Sequence, residues 1–473
     1  MSSDHDVLKE LDELSSMDMD PHNGRMFGHI YETGDMSLRR IAEEAYVKYM
    51  WKNMLDPTVY PSIIKLEKDL VRGMGNYFNL PEDGTGTFTY GGTESILVAV
   101  LSAREHYKSL QGKSAVMEIV LPETAHPAFH KAAFLLGVKV KVVPVDRQSF
   151  TVSADKLLDS ISSETGMVVL SAPNYPFGTI DPVKEVGESL GGNNIWLHVD
   201  SCIGTLLPFL RMEGENIPPT DFSVEGVYSI STDMHKYGYS PKNGSLIFFR
   251  NRDLKTHSLF AYSRWAGYPL INTTILSSRS AGSLAASWAV FRYLGEEGYE
   301  RNARRVKNAR DKIINGLVDV GYTIQGRPMG GILSFTSSDI NVFYLSEEMK
   351  KKGWYIQSQP GSTALNYNPS IHMTIAPMHE EIADEFLEAL RESTEIVRDK
   401  PLPPENALRF AMQVNLFNRK EEDLEDLMEV VMDKIGLSEK GLGSEVLVNE
   451  LMYLFPPDVV EEVLKFFIYY IYS

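Results

Sequence analysis

Between residues 116 and 200 the chain alternates short apolar runs with amphipathic stretches, and few architectures accept that rhythm. Residues 116–121 read as a buried strand and 138–143, 167–171 and 195–199 as further strand-like runs, with helices expected after Glu123, from Ala154 and from Val183. Strand and helix in alternation imply βαβ units, and so a largely parallel sheet covered on both faces. In an open sheet of that kind ligands lie beyond the carboxyl ends of the strands. Three segments leave strands there: 172–182, the run after Asp200, and the stretch around His235 and Lys236.

Lys236, flanked by His235, lies where a β-rich run breaks into the Gly/Pro turn Gly238-Tyr239-Ser240-Pro241-Lys242-Asn243-Gly244. A lysine in a dry pocket loses part of its charge and becomes a nucleophile able to form a Schiff base with an aldehyde. Pyridoxal 5'-phosphate is such an aldehyde. From a protein it requires an amine, an acid for its pyridinium nitrogen, a flat partner for its ring and backbone donors for its phosphate. Upstream, Gly91-Gly92-Thr93 immediately precedes an amphipathic helix bearing Ile96, Leu97, Val100 and Leu101. Free N–H groups and the positive helix end make an anion site there, although the same residues also describe a tight turn with Thr93 as N-cap. His126, at a strand-to-helix corner, can stack on a pyridine ring, or can be a cap or a surface histidine. Asp200 can keep a pyridinium protonated, which makes the ring an electron sink, or can cap a helix. Phosphate turn, histidine, acid and lysine follow one another in the order that one cofactor site on such a sheet requires.

Composition removes other classes. With 473 residues, 43% hydrophobic and 23% charged, the chain has the make-up of a globular protein of two or more domains. A formal charge of -18 argues against nucleic acid, whose backbone is gripped by clustered Lys and Arg, so any phosphorylated ligand must meet a local group of donors. The one cysteine, Cys202, excludes an intrachain disulfide and a cysteine-rich zinc site, and no His-Glu-x-x-His motif occurs, so no metal is expected. The amino terminus has neither the basic flank nor the apolar core of a secretory signal, and no apolar run approaches a membrane span. A cytoplasmic protein is expected.

Four units are expected along the chain: an arm and helix over 1–60, a large domain over 61–299, a small α/β domain over 300–399 and a helical extension over 400–473. A helix is expected over 37–52, and another from Ser62, where Ile63, Ile64, Leu66, Leu70 and Val71 recur at helical spacing. A long helix is expected through Gly295 and a basic amphipathic one from about Glu300. Lys400-Pro401-Leu402-Pro403-Pro404 reads as a stiff linker. Beyond it, Leu424, Leu427, Val430 and Val431 share a helix face, and residues 459–472 form an amphipathic packing helix.

These residues resemble the group II pyridoxal phosphate decarboxylase superfamily. The run Ser231-Thr232-Asp233-Met234-His235-Lys236-Tyr237-Gly238-Tyr239-Ser240-Pro241-Lys242 is most similar to its sphingosine-1-phosphate lyase branch. Gly91-Gly92-Thr93, His126, Gly178-Thr179-Ile180-Asp181-Pro182, His198-Val199-Asp200-Ser201-Cys202 and the turn from Arg279 to Gly282 also fall on family motifs, over roughly residues 25–395. The resemblance implies the α/β fold type I of aspartate aminotransferase: a large, mostly parallel-sheet domain, a small carboxy-terminal α/β domain, and a homodimer whose active sites are shared. It implies that Gly92 and Thr93 hold the cofactor phosphate, His126 stacks on the ring, Asp200 holds the ring nitrogen and His235 flanks the Schiff-base Lys236. Gly282 would reach the cofactor phosphate of the neighbouring subunit. Tyr31, in Arg25-Met26-Phe27-Gly28-His29-Ile30-Tyr31, is similar to a lyase tyrosine that enters the partner's site, and Lys242 to a lyase lysine that helps bind substrate phosphate.

The sequence also departs from the lyase pattern. Asp56 stands where some lyases carry a phosphate-contacting histidine, and Asn53-x-x-Asp56 is similar to the amino-acid decarboxylases. The Arg-Pro-Gly turn common in both branches reads Arg279-Ser280-Ala281, and no counterpart of the eukaryotic lyases' membrane anchor is read. Three activities therefore stand side by side. The first is a carbon–carbon lyase acting on a phosphorylated long-chain amino alcohol, with Tyr31 and Lys236 moving protons and Lys242 and Tyr31 near the phosphate. The second is a decarboxylase of tyrosine, aspartate or glutamate. The third is a non-catalytic protein retaining the fold, which the presence of Lys236 and Asp200 opposes.

Overall fold

The structure is a computed structural model that describes residues 4–56, 58–413 and 445–471. Its main sheet contains β1 (Thr85–Thr89), β2 (Glu118–Pro122), β3 (Lys139–Val143), β4 (Thr165–Ser171), β5 (Trp196–Asp200), β6 (Val227–Thr232) and β7 (Ser245–Phe249), in the spatial order β1-β7-β6-β5-β4-β2-β3. Strands β2 to β6 pair in parallel, whereas β7 runs antiparallel to both β6 and β1. Because alternate residues of a strand face opposite sides, the sheet separates two apolar cores. Met167, Val169, Ile247 and Phe249 belong to one, with Ile96 and Val100 of the helix Gly92–Gln111 and Phe129 of Ala128–Leu136. Val168, Leu170, Leu197, Val199 and Phe248 belong to the other, with Leu66 and Leu70 of Pro61–Tyr77. Strands β4, β5 and β7 are buried at every residue, as a sheet covered on both faces requires.

A short hairpin, β8 (Phe260–Tyr262) and β9 (Leu270–Asn272), leads to the helix Gly282–Val320. Both helices expected around Gly295 and Glu300 fall within that run, whose backbone departs from helical geometry at Gly295 (φ 55°, ψ -171°). A second sheet, antiparallel throughout, contains β10 (Thr323–Ile324), β11 (Ile332–Thr336), β12 (Gln357–Gln359) and β13 (Ser370–Thr374) in the order β10-β11-β13-β12. The fold is thus the expected two-sheet α/β architecture. Residues 25–31 cross the small sheet: Phe27 N donates to the Tyr355 carbonyl at 2.9 Å, and Thr374 N donates to the Phe27 carbonyl at 2.8 Å. That crossing carries Tyr31 toward the carboxyl ends of the large sheet.

Past residue 400 the described helices are Glu405–Gln413, Glu445–Leu454 and Pro457–Ile471. The face expected at Leu424, Leu427, Val430 and Val431 lies outside the described residues. Among the described residues no helix is long and apolar enough to cross a membrane.

Candidate active site

Strand β6 ends at Thr232, and the chain then turns so that Lys236 N donates to the Asp233 carbonyl at 3.3 Å. The same turn brings Lys236 Nζ to 2.9 Å from Asp233 Oδ2, while His235 Nε2 lies 3.7 Å from that oxygen. Burial alone would lower the lysine's pKa, but the Asp233 carboxylate outweighs it and holds the amine well above its ordinary value. Burial likewise opposes charge on Asp233, and Lys236 with His235 overcomes it, so that carboxyl lies below the usual range. His235 Nδ1 donates to the Gly244 carbonyl at 2.7 Å, which fixes its ring in the turn.

The glycine turn lies directly against this pair. At Gly92 a Cβ would meet Asp233 Oδ2 at 2.8 Å and Cys202 Sγ at 3.1 Å, so no side chain fits there. Gly91 (φ 112°) occupies the cap position, in backbone that an L side chain rarely adopts. Thr93 is the second residue of the helix, which corrects the alternative of Thr93 as N-cap. What anchors the turn is Glu94, which sequence reasoning missed. Its buried carboxylate accepts from Tyr90 N at 2.6 Å, Ile275 N at 3.0 Å and Leu276 N at 2.9 Å.

His126 Nδ1 accepts from Ala128 N at 3.1 Å, which leaves its proton on Nε2 and fixes the ring at the start of the helix. Burial lowers its pKa, with Asp200 pulling the other way. It therefore acts as a cap and still belongs to the cleft, where it feels Asp200, Asp233 and Lys236. Asp200 ends β5 and accepts at Oδ1 from Cys202 N at 3.1 Å and Ser231 Oγ at 3.3 Å.

The small domain and the amino-terminal segment close the other side. Tyr31 packs edge-on against Tyr237, with ring centroids 4.8 Å apart, and Lys242 Nζ lies 5.7 Å from the Tyr31 ring centroid. Lys242 Nζ also donates to the His29 carbonyl. Lys242 is exposed as a residue, but enclosure of its ammonium end and repulsion from Lys236 lower its pKa. Burial raises that of Tyr31, against the pull of Lys236. Tyr175 faces Lys236 Nζ at 5.8 Å and stacks on His372 at 4.4 Å, two contributors that carry no local sequence signal. Tyr31, His235 and Lys242 line one cavity of about 300 Å³.

Within one protomer Tyr31 feels the charge of its own chain's Lys236. Gly282 is packed against Tyr46, and the adjacent Ser280 carbonyl accepts from Tyr90. Asp56 is exposed and accepts from Thr58 N at 2.8 Å. Among the described residues no group of three or more His, Cys, Asp or Glu could hold a metal ion.

The donor set fits pyridoxal 5'-phosphate. One amine, a glycine-lined helix start pressed against the carboxylate paired with it, a second carboxylate ending β5 and an imidazole near enough to feel all three charges supply the parts the cofactor requires. Asp233 Oδ1 is buried and lacks a hydrogen-bond partner among the described residues, as befits a site built for a further polar group.

Comparison with known proteins agrees. The family model for the pyridoxal-dependent decarboxylase conserved domain matches residues 19–319. The sphingosine-1-phosphate lyase of Oryza sativa is 34% identical over 406 residues, covering 84% of this chain and 74% of that protein. The solved structure of a Burkholderia pseudomallei sphingosine-1-phosphate lyase is 30% identical with a TM-score of 0.79, over 89% of this chain and 96% of that one. A Lactobacillus brevis glutamate decarboxylase, 19% identical with a TM-score of 0.74, covers 85% of this chain and 94% of its own and shares the fold. The chain therefore belongs to the pyridoxal-dependent decarboxylase family, whose cofactor is pyridoxal 5'-phosphate, and stands within it beside the sphingosine-1-phosphate lyases.

Proposed function

We propose that the protein is a carbon–carbon lyase that cleaves a phosphorylated long-chain amino alcohol into a fatty aldehyde and phosphoethanolamine. The observation that carries this reading is the convergence of Lys242 and Tyr31 on the cavity beside Lys236. When bound, pyridoxal phosphate supplies an electron sink for the pair released as the Cα–Cβ bond breaks. Gly92 and Thr93 would hold its phosphate, His126 would stack on its ring and Asp200 would meet its ring nitrogen, while His235 steadies the turn that presents Lys236. Lys242 offers a cation to the substrate phosphate. Tyr31 keeps its phenolic proton because burial raises its pKa, so it enters the reaction as a donor. Lys236, which would carry the cofactor, is the second group placed to move a proton at the substrate.

A second reading, an amino-acid decarboxylase, draws on Asn53-x-x-Asp56. Asn53 Oδ1 accepts from Arg279 N at 3.3 Å, which ties that motif to the turn carrying Gly282. The two activities differ in which bond stands perpendicular to the cofactor ring. We also propose a homodimer with shared sites, since Thr93 is exposed in the single protomer, and a reducing, cytoplasmic setting, in keeping with one buried free cysteine. The test is mass spectrometry of products after cofactor-loaded protein meets, in separate tubes, a phosphorylated sphingoid base and a pool of amino acids. A long-chain aldehyde with phosphoethanolamine is expected. Amines and carbon dioxide from the second tube, with the lipid untouched, would overturn the lyase reading.

A further inference from the structure

Asp200 shares one face of β5 with Trp196 and His198, because alternate residues of a strand point the same way. On β6 the same rule groups Ser229 with Ser231, and the parallel register sets His198 beside Ser229 and Asp200 beside Ser231. All five side chains are buried, so water does not compete for their polar atoms. Trp196 Nε1 lies 2.7 Å from Ser229 Oγ, which lies 2.8 Å from His198 Nδ1. His198 Nε2 lies 3.2 Å from Ser231 Oγ, and Ser231 Oγ lies 3.3 Å from Asp200 Oδ1.

The donor inventory permits one direction through this file. Asp200 Oδ1 can only accept, so the one hydrogen of Ser231 goes there and Ser231 must accept from His198 Nε2. Nδ1 of the neutral ring then accepts from Ser229, which itself accepts from Trp196. Burial pushes His198 down to about 4, against the pull of Asp200, so the ring stays neutral near pH 7. Cys202 N is the second donor at the same Asp200 oxygen. Turning a carboxylate held by two donors at one oxygen would break both bonds.

We propose that the file Trp196, Ser229, His198, Ser231 holds Asp200 in one orientation for the pyridinium nitrogen of the cofactor, with His198 as the positioning residue that links the two serines of the file. The inference rests on the cofactor and not on which substrate bond is cleaved. It assigns a common purpose to five residues that are contiguous in the sheet and dispersed in sequence. His198 touches neither substrate nor reacting atoms; it acts through Ser231.

The experiment titrates pyridoxal phosphate onto apoprotein and follows the spectrum of the bound cofactor against pH. Both His198→Phe and Ser231→Ala are expected to weaken binding about tenfold, the usual scale for a hydrogen bond to a charged group. Both are also expected to lower the pH at which the bound spectrum titrates, since a weakly held carboxylate protects the protonated ring nitrogen less. His198→Gln, which restores a donor at the Nε2 position, recovers both readouts; His198→Asn, whose amide ends near the Nδ1 position, does not. Adding His198→Phe to Asp200→Asn costs no further affinity, because the file acts only through Asp200. Wild-type affinity and titration in His198→Phe, or additive losses in the double variant, would overturn the proposal. If His198→Phe fails to fold by circular dichroism, Ser231→Ala, which deletes one oxygen, decides on the same two readouts. Wild-type protein that takes up no cofactor would instead overturn the cofactor assignment itself.

Discussion

Asp233 decides the state in which Lys236 waits. Only a neutral amine attacks an aldehyde, and the carboxylate 2.9 Å from Nζ holds this one charged. Capture of pyridoxal phosphate by apoprotein should therefore accelerate as pH rises. In Asp233→Asn the pairing charge is gone and burial is left to dominate, which lowers the lysine's pKa, so the rise should shift to lower pH. Stopped-flow absorbance between about pH 6 and 10 reads this directly, and an unshifted profile would remove Asp233 from the role. Borohydride reduction of loaded protein followed by peptide mapping should find the pyridoxyl group on Lys236, and Lys236→Ala should lose more than about a thousandfold in turnover. Much of this site was legible in sequence because each part has a local cue: glycines before a helix, an acid ending a strand, a lysine in a turn. Asp233 had none, since one acidic residue in a polar turn reads as solvated; its part follows from a fold-back that only the backbone reveals. Tyr175 lies in the loop after β4 of the large sheet and His372 on β13 of the small one, so no spacing in the chain could pair them.

Elements were read well where apolar residues dominate and poorly where polar ones are buried. The apolar runs before Asp200 all became strands, whereas β1, Thr-Gly-Thr-Phe-Thr in sequence, gave no such sign. Thr89 is tolerated inside because its hydroxyl lies 2.5 Å from that of Ser95. The same physics governs the carboxy-terminal helices, which sequence reading left as generic packing. Glu450, fully buried on Glu445–Leu454, accepts from Asn341 Nδ2 at 3.0 Å, Asn406 Nδ2 at 2.7 Å and Ala407 N at 3.0 Å. Asn406 and Ala407 open the helix Glu405–Gln413, so the carboxylate sits at a positive helix end, while Asn341 caps Val342–Lys351. One side chain thus fastens three helices. Glu450→Ala, leaving those donors unpaired, should cost about 1–3 kcal/mol, lower the thermal midpoint and speed hydrogen exchange in 405–413 and 445–454. Cofactor affinity should be unchanged. Exchange as slow as in wild type would mean that apolar contacts alone hold the extension.

At the scale of the whole molecule a single protomer leaves exposed both an apolar surface and Thr93 at the helix start. The β8–β9 hairpin exposes Phe260, Tyr262, Trp265, Tyr268 and Ile271, a patch of the kind that marks an interaction surface. Thr93 is exposed as well, although Gly92 beside it is pressed onto Asp233. A second copy covering this side would bury the aromatics and enclose the helix start where the cofactor phosphate is expected. Charge opposes that assembly, since each copy carries -18, so apolar contact must supply the attraction. Association should consequently strengthen as salt rises, the reverse of an interface held by ion pairs. Sedimentation equilibrium is expected to give twice 53.2 kDa. Trp265→Glu combined with Tyr268→Glu should shift the protein toward monomer and lower turnover and cofactor affinity in parallel. A variant that sediments as a monomer yet keeps full turnover would mean that each site is complete within one chain. It would also leave the hairpin to some other partner, because a single copy would then satisfy the chemistry without covering that apolar edge.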